Sequence, residues 1–202
     1  TYLAPTAKNN AELLPGMEAE QNTLVSTTKG EPLTLIPALA PSANLGHASA
    51  ATTVRADGSM TSKVTFATKG MFDMILRGEA VMMSNDQQRE LVEQVLHRAL
   101  PDAKLTKLDL SSPLSLATPM TVTFEIEVPN AAPKTGDYRL LRSIVTSGAL
   151  GLVEAVAPRV FGADLSRKYG FDPRLTFEYD QEETIALPPG MKIVALPNTA
   201  TT

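Results

Sequence analysis

The stretch 121-TVTFEIEV-128 decides the fold class of this chain. Its apolar residues alternate with threonine and glutamate, which is the period of a β-strand that has one face in the core and one in solvent. Pro119 and Pro129 bracket the stretch, and because proline donates no hydrogen bond to a sheet ladder, they mark its two ends. The sequence therefore predicts a strand at this position, in a sheet with one wet face.

A β-hairpin is predicted around Asp57-Gly58, because this dipeptide readily supplies the positive φ angles of a tight turn. Its arms are expected at residues 48–56 and 59–67, with Val64 and Phe66 pointing into the core. Further short strands, flanked by Pro, Gly or Asn, are expected at residues 22–27, 33–36, 104–110, 174–179, 184–187 and 192–196. Short strands at this spacing are typical of an all-β module.

One helix is predicted over residues 85–100. Ser84 is a suitable N-cap and Gln87 completes a capping box with it, whereas Pro101 ends the helical pattern. A less regular helical pattern covers residues 70–83, and residues 147–157 are too uniformly apolar for periodicity to separate helix from strand. The expected fold is mainly β (α+β by a strict count), with sandwich-like antiparallel sheets and one clear helix on a sheet face.

Composition limits the function classes that the chain can serve. Of its 202 residues, 43% are hydrophobic and 20% are charged, as in globular proteins, and the net charge of -4 gives no indication of nucleic-acid binding. The longest apolar run is far shorter than the roughly 20 residues of a membrane helix, so no membrane span is predicted. Cysteine is absent, which excludes thiol nucleophiles, disulfides and thiolate metal sites within this sequence.

The two histidines do not form a recognisable site. His97 follows the apolar pair Val95 and Leu96 on the predicted helix and is interpreted as a boundary residue. His47 lies near the start of a predicted strand, and no motif places Ser or Asp beside it, so no catalytic triad is predicted. Because the histidines lack any metal-ligand spacing, no metal site and no cofactor are expected.

Two groups of carboxylates offer alternatives. Glu125 and Glu127 share one strand face about 7 Å apart, a separation compatible with the acid/base pair of a glycosidase, but alternate carboxylates are also typical of a solvent-facing strand. Asp180, Glu182 and Glu183 are interpreted as a turn-like acidic patch. It could hold Ca²⁺, although the spacing of a dedicated calcium loop is missing.

The opening Tyr2-Leu3-Ala4-Pro5-Thr6-Ala7, followed by Leu14-Pro15-Gly16 and Asn22-Thr23-Leu24-Val25, resembles the end of the papain-fold, transglutaminase-like core of large exported bacterial proteins. In that family the strand typically reads Tyr-Leu-Asp-Pro-Thr, and its Asp is the third member of a Cys-His-Asp triad. Ala4 occupies the position of this Asp, and the Cys and His would lie upstream of Thr1. The resemblance therefore transfers no catalytic residue to this chain.

Later stretches follow the same family in order: residues 33–37, Asp57-Gly58-Ser59, residues 70–77, Pro101-Asp102-Ala103-Lys104 and Leu187-Pro188-Pro189-Gly190. The resemblance implies that residues 1–41 are the tail of a preceding core. Residues 42–202 would then be a β-rich accessory domain from the C-terminal β region, incomplete at its own C-terminus. It also implies an extracytoplasmic location, periplasmic or secreted, in a Gram-negative-type bacterium.

The functional hypothesis is a non-catalytic accessory region whose partners are the upstream domain of the same polypeptide or an envelope protein, with no nucleic acid and no cofactor. An independent immunoglobulin-like module for adhesion or ligand binding is the first alternative. A hydrolase that uses Glu125 and Glu127 is the second.

Overall fold

The computed structural model describes residues 20–24, 28–145 and 176–196. In chain order its elements are β1 (Asn22–Thr23), β2 (Thr34–Leu35), a 3-10 turn (Pro41–Ala43), β3 (Leu45–Val54), β4 (Met60–Thr68), α1 (Met71–Met82), α2 (Asn85–Ala99), β5 (Lys104–Leu110), β6 (Thr121–Val128), β7 (Lys134–Thr135), β8 (Tyr138–Arg139) and β9 (Glu178–Ala186). Five of the strands form one sheet, and β1 with β2 and β7 with β8 form two small ladders.

The main sheet has the strand order β5-β6-β4-β3-β9. The pairs β3–β4, β4–β6 and β5–β6 are antiparallel, whereas β9 joins the other edge of β3 in parallel. The sheet is therefore mixed. The mainly β, α+β class is confirmed, and the two helices form one layer against this sheet.

Most of the local predictions are confirmed. The strands at residues 104–110 and 121–128 have their expected bounds, and the hairpin forms around Asp57-Gly58. The Ser59 hydroxyl and amide both donate to the Asp57 carboxylate, which holds its pKa below the usual value and fixes the turn. In α2 both capping-box bonds are present, between Ser84 and Gln87.

The pattern at residues 70–83 also forms a helix, α1, although Gly78 lies inside it. A glycine costs a helix about 1 kcal/mol relative to alanine. Burial offsets this cost, because Met71, Phe72 and Ala80 of α1 are buried.

The C-terminal strand predictions are wrong in two respects. Residues 178–186 form one continuous strand, so Asp180, Glu182 and Glu183 lie within a strand and not in a turn between two strands. Parallel pairing with β3 over its whole length explains this continuity, since the acidic side chains simply alternate between the two faces. Residues 192–196 form no strand. Residues 25–27, 147–157 and 174–175 lie outside the described ranges.

The core lies between the helices and one face of the main sheet. Its buried apolar residues come from α2 and from four strands of the sheet: Ala48, Ala50, Val54, Met60, Val64, Phe66, Leu96, Leu105, Ile126 and Val128. The residues between them on β3, β4 and β6 point to the opposite side. We call this opposite side the open face.

A buried ion pair anchors α1. Arg77 is completely buried, and its Nε donates to the Asp73 carboxylate one helical turn earlier. Its Nη1 donates to the carbonyls of Pro113 and Ser115, and its Nη2 to Asp73 and the carbonyl of Thr118. All five guanidinium donors are therefore used, and the segment that precedes β6 is fixed to α1.

Asn44 fixes the start of the same helix. Gly70, at the N-cap, has a positive φ and offers no side chain, so the Asn44 side-chain carbonyl accepts from the Met71 amide instead, at 2.9 Å. A Cβ on Gly70 would collide with the Ala43 carbonyl oxygen and with Asn44. The Asn44 side-chain amide donates to the Thr176 carbonyl, 2.9 Å away, which ties the helix start to the segment ahead of β9.

We expect Arg77→Met to lower the free energy of unfolding by about 3–5 kcal/mol, because it leaves the Asp73 carboxylate buried without its counter-charge. Urea denaturation measures this loss. The double variant Asp73→Asn/Arg77→Met removes both charges and should lose less than the single variant. Arg98→Met, at an exposed position of α2, is the control and should stay within about 0.5 kcal/mol of the wild type. An Arg77→Met protein as stable as the control would contradict the anchoring role.

Candidate functional site

The open face carries mostly small, uncharged side chains at its centre. On the three central strands these are Ser49, Ala51, Thr53, Thr61, Thr65, Ala67, Thr121 and Thr123. Thr65 and Thr123 are cross-strand neighbours whose hydroxyl oxygens lie 3.5 Å apart. Because most of these side chains are short, the surface formed by the three central strands is nearly flat.

Charged residues are concentrated toward the two edges of the open face. Glu178, Asp180 and Glu182 line the β9 edge, and Lys104, Lys107 and Asp109 line the β5 edge. The exception is Lys63, in the middle of the central strand β4, which pairs with Glu125 of β6.

The parallel pairing of β3 and β9 brings His47 against Asp180. The two residues are register partners, and His47 Nδ1 lies 2.9 Å from Asp180 Oδ2. The side chains are 33% and 57% exposed, so solvent screens the interaction. The sequence did not predict this pair, because its members come from strands more than 130 positions apart.

The His47–Asp180 pair has no nucleophile within reach on its own strand. Ser49 is the nearest hydroxyl on the same strand face, and two residues of strand rise separate it from His47 by about 7 Å. A histidine that activates a serine must lie within hydrogen-bond distance of it. The arrangement fits a surface contact that joins the edge strand to the sheet.

Glu125 and Glu127 lie on the open face, as the strand period predicts. Glu125 Oε1 lies 4.0 Å from Lys107 Nζ, and Lys63 is the register partner of Glu125 on the other side. Glu127 is exposed and pairs with Lys104 in the register of β5. Each carboxylate is thus flanked by a lysine, which is the charge pattern of a solvated sheet surface.

The three residues of the predicted acidic patch do not share one face of β9. Asp180 and Glu182 lie on the open face, whereas Glu183 points to the side of the helices. Glu183 accepts from the Thr52 hydroxyl at 2.7 Å and from the Ile144 amide at 3.1 Å. Within the described ranges no group of three or more His, Asp or Glu side chains could hold a metal ion.

His97 lies at the end of α2, as predicted. Its Nε2 is 2.9 Å from the carbonyl oxygen of Ala103, across the turn that leads into β5. This contact joins the helix to the next strand, consistent with a boundary residue.

A cavity of about 110 Å³ lies between the helix layer and the main sheet. Its walls are almost entirely apolar and include Ala48, Phe66, Ala80, Val92 and Phe124. Sequence patterns identify the core face of each element but not the space left where the elements meet, so this cavity was not predicted.

Comparison with known proteins found no family model, no curated protein and no solved structure that matches this chain. Among the described residues, no helix has the length and apolar character needed to cross a membrane.

We expect the His47–Asp180 contact to contribute no more than about 1 kcal/mol to stability, because both side chains are partly exposed. A double-mutant cycle with His47→Ala, Asp180→Ala and the combined variant, followed by urea denaturation, measures the coupling energy. A coupling above about 2 kcal/mol would contradict the interpretation of a screened surface contact.

We expect Tyr179 to affect how the stability of the fold depends on pH in the alkaline range. Burial raises the pKa of Tyr179 above the ordinary 10.0, and the neighbouring Gln181 side chain offsets part of this rise. Among the described residues the Tyr179 hydroxyl has no partner at hydrogen-bond distance and angle. The folded state therefore favours the neutral phenol. The stability that this preference contributes is fully present below pH 10 and is lost as the pH rises through the folded-state pKa. Tyr179→Phe should leave stability at pH 7 unchanged or higher and should weaken its decline above about pH 10.

The matched control for this prediction is Tyr138→Phe, the same substitution at a position that is 63% exposed. Urea midpoints measured between neutral and alkaline pH should follow the wild type for this control. A Tyr179→Phe profile identical to that of the wild type would contradict the role of burial.

Proposed function

We propose that this chain is a non-catalytic accessory region of a larger transglutaminase-like exported protein, and that the open face contacts the core domain of the same polypeptide. The ordered resemblance to that family and the alanine at position 4 support a region without a catalytic residue of its own. The observation that carries the contact surface is the prevalence of small side chains on the three central strands of the open face, with the Lys63–Glu125 pair among them.

The side chains at this centre suit an interface because covering them costs little conformational entropy. Alanine loses no rotamer freedom on burial, and serine and threonine have short side chains compared with lysine or glutamate. Ala51 and Ala67 lie among Ser49, Thr65 and Thr123, so a partner could approach the sheet closely.

The charge distribution agrees with the same role. Protein interfaces typically have a centre depleted in charge and a polar rim that stays in contact with solvent. The acidic residues of β9 and the lysines of β5 would form two opposite sides of such a rim. Their opposite signs would favour one orientation of the partner over the reversed one.

The direct test is to produce the segment encoded immediately upstream of Thr1 and to measure its binding to this chain by sedimentation. We expect a complex with the wild type. Thr65→Arg/Thr123→Arg should abolish it, because two long charged side chains would be buried at the centre of the interface. Circular dichroism and urea denaturation confirm that the variant folds.

Gln94→Arg/Ala117→Arg adds the same charge at two exposed positions outside the open face and should leave the complex intact. A gene that starts immediately before Thr1, a wild type that does not bind, or an open-face variant that binds like the control would each contradict the proposal.

A further inference from the structure

We propose that the free edge of β9 binds an extended segment of a partner protein in which basic and apolar side chains alternate, and that this segment adds a strand to the five-stranded sheet. The accessory role is not a premise of this proposal, because the edge of the sheet is a different surface from the open face. Three features of the edge lead to it: the backbone groups, the charges and the exposed apolar side chains.

The outer side of β9 offers backbone donors and acceptors. β9 is the last strand of the sheet, and among the described residues its only strand partner is β3. The Glu178 amide donates to the Asn44 carbonyl at the start of β3, and successive residues of a strand turn these groups to alternate sides. The groups that point to the free edge are therefore the N–H and C=O of Tyr179, Gln181, Glu183 and Ile185.

The opposite edge of the sheet has protection that β9 lacks. β5 carries a bulge between Leu105 and Lys107, and Arg89 of α2 donates to the Leu105 carbonyl. Natural sheets use bulges, lysines and prolines to prevent the addition of a strand at an edge. β9 contains no lysine and no proline, and it pairs with β3 without a bulge over all nine residues. Strand addition is therefore expected at β9 and not at β5.

The side chains of β9 on the open face select a basic partner. Glu178, Asp180 and Glu182 occupy alternate positions of the strand, and all three are exposed. Side chains of neighbouring strands pair on the same face, where opposite charges stabilise the pairing and like charges destabilise it. A segment with lysine or arginine at alternate positions is complementary to this acidic row. The β9 strand of a second copy would instead bring carboxylates together.

The side of β9 that faces the helices favours apolar residues between the basic ones. Ile185 points to this side, in register with the buried Thr52, yet it is 38% exposed. An added strand would cover Ile185 with the side chains that alternate with its basic residues. Strand addition obtains affinity from main-chain hydrogen bonds and specificity from such alternating side chains. The edge thus fits a segment that is basic on one face and apolar on the other.

The probe is the fluorescently labelled peptide Lys-Val-Lys-Thr-Lys-Val-Lys, blocked at both termini and titrated with the full chain while its anisotropy is followed. We expect saturable binding. A peptide with glutamate in place of each lysine should bind weaker by about tenfold or more, because its carboxylates would lie opposite those of β9. Absence of saturable binding of the lysine peptide would overturn the proposal.

Glu178→Lys/Glu182→Lys should lower the affinity for the lysine peptide by about tenfold, because it reverses two charges of the acidic row. Glu90→Lys/Asp102→Lys makes the same change in net charge at exposed positions away from β9 and should bind like the wild type. Circular dichroism confirms that both variants fold. Equal affinities of the two folded variants would overturn the role of the acidic row.

Amide hydrogen exchange of the wild type, followed by NMR, locates the peptide without any variant. Saturation with the lysine peptide should slow exchange at the outward amides of Tyr179, Gln181, Glu183 and Ile185, because they would donate to the added strand. Exchange at Leu108 of β5 should not change. Binding that leaves the four outward amides of β9 unprotected would overturn strand addition.

Two further measurements separate this proposal from its alternatives. Sedimentation of the chain alone should show a monomer, and association of copies through β9 would overturn the assignment of a separate partner. Thr65→Arg/Thr123→Arg, which tests the open face, should bind the lysine peptide like the wild type. The accessory role and the strand addition can therefore fail independently, and loss of peptide binding in this folded variant would place the peptide on the open face and overturn the proposal.

Discussion

The buried Asp73–Arg77 ion pair is the constraint on which the arrangement of the other elements depends. A buried guanidinium is tolerated only where its charge is paired and its donors are satisfied. Arg77 meets this condition with one carboxylate and three backbone carbonyls, which lie in the segment before β6. Asp73 in turn accepts from the Met120 amide and the Thr68 hydroxyl. One ion pair thus fixes α1 to the end of β4 and to the start of β6.

This anchor, together with Asn44, determines how the helix layer lies on the sheet. Asn44 holds the first turn of α1 and, through the Thr176 carbonyl, the approach to β9. Buried polar contacts therefore fix both ends of the connection between β4 and α1. Polar geometry, and not apolar packing alone, positions α1 on the sheet.

The sequence predicts those parts of the fold that depend on nearby residues. Three such features each involve only a few neighbouring positions, so local sequence patterns predict them. They are the Ser84–Gln87 capping box, the Asp57-Gly58 turn and the alternation at residues 121–128. The position of β9 depends instead on pairing between strands that lie more than 120 residues apart. Its run of acidic residues is typical of a loop, and only the partner strand explains why it is extended. For the same reason the His47–Asp180 contact and the cavity were not predicted. The family resemblance is a separate matter and stays a prediction.

The small side chains of β3 shape both faces of the sheet. Toward the helices Ala48 lines the cavity, and toward the other side Ser49 and Ala51 keep the open face nearly flat. At the start of the strand, Gly46 admits the ring of Tyr179, since a Cβ there would lie 2.9 Å from Tyr179 Cδ2. A larger residue at position 46 would therefore displace the Tyr179 ring and, with it, the edge strand β9. Gly46 is therefore required by the pairing of β3 with β9 and not by any property of β3 alone.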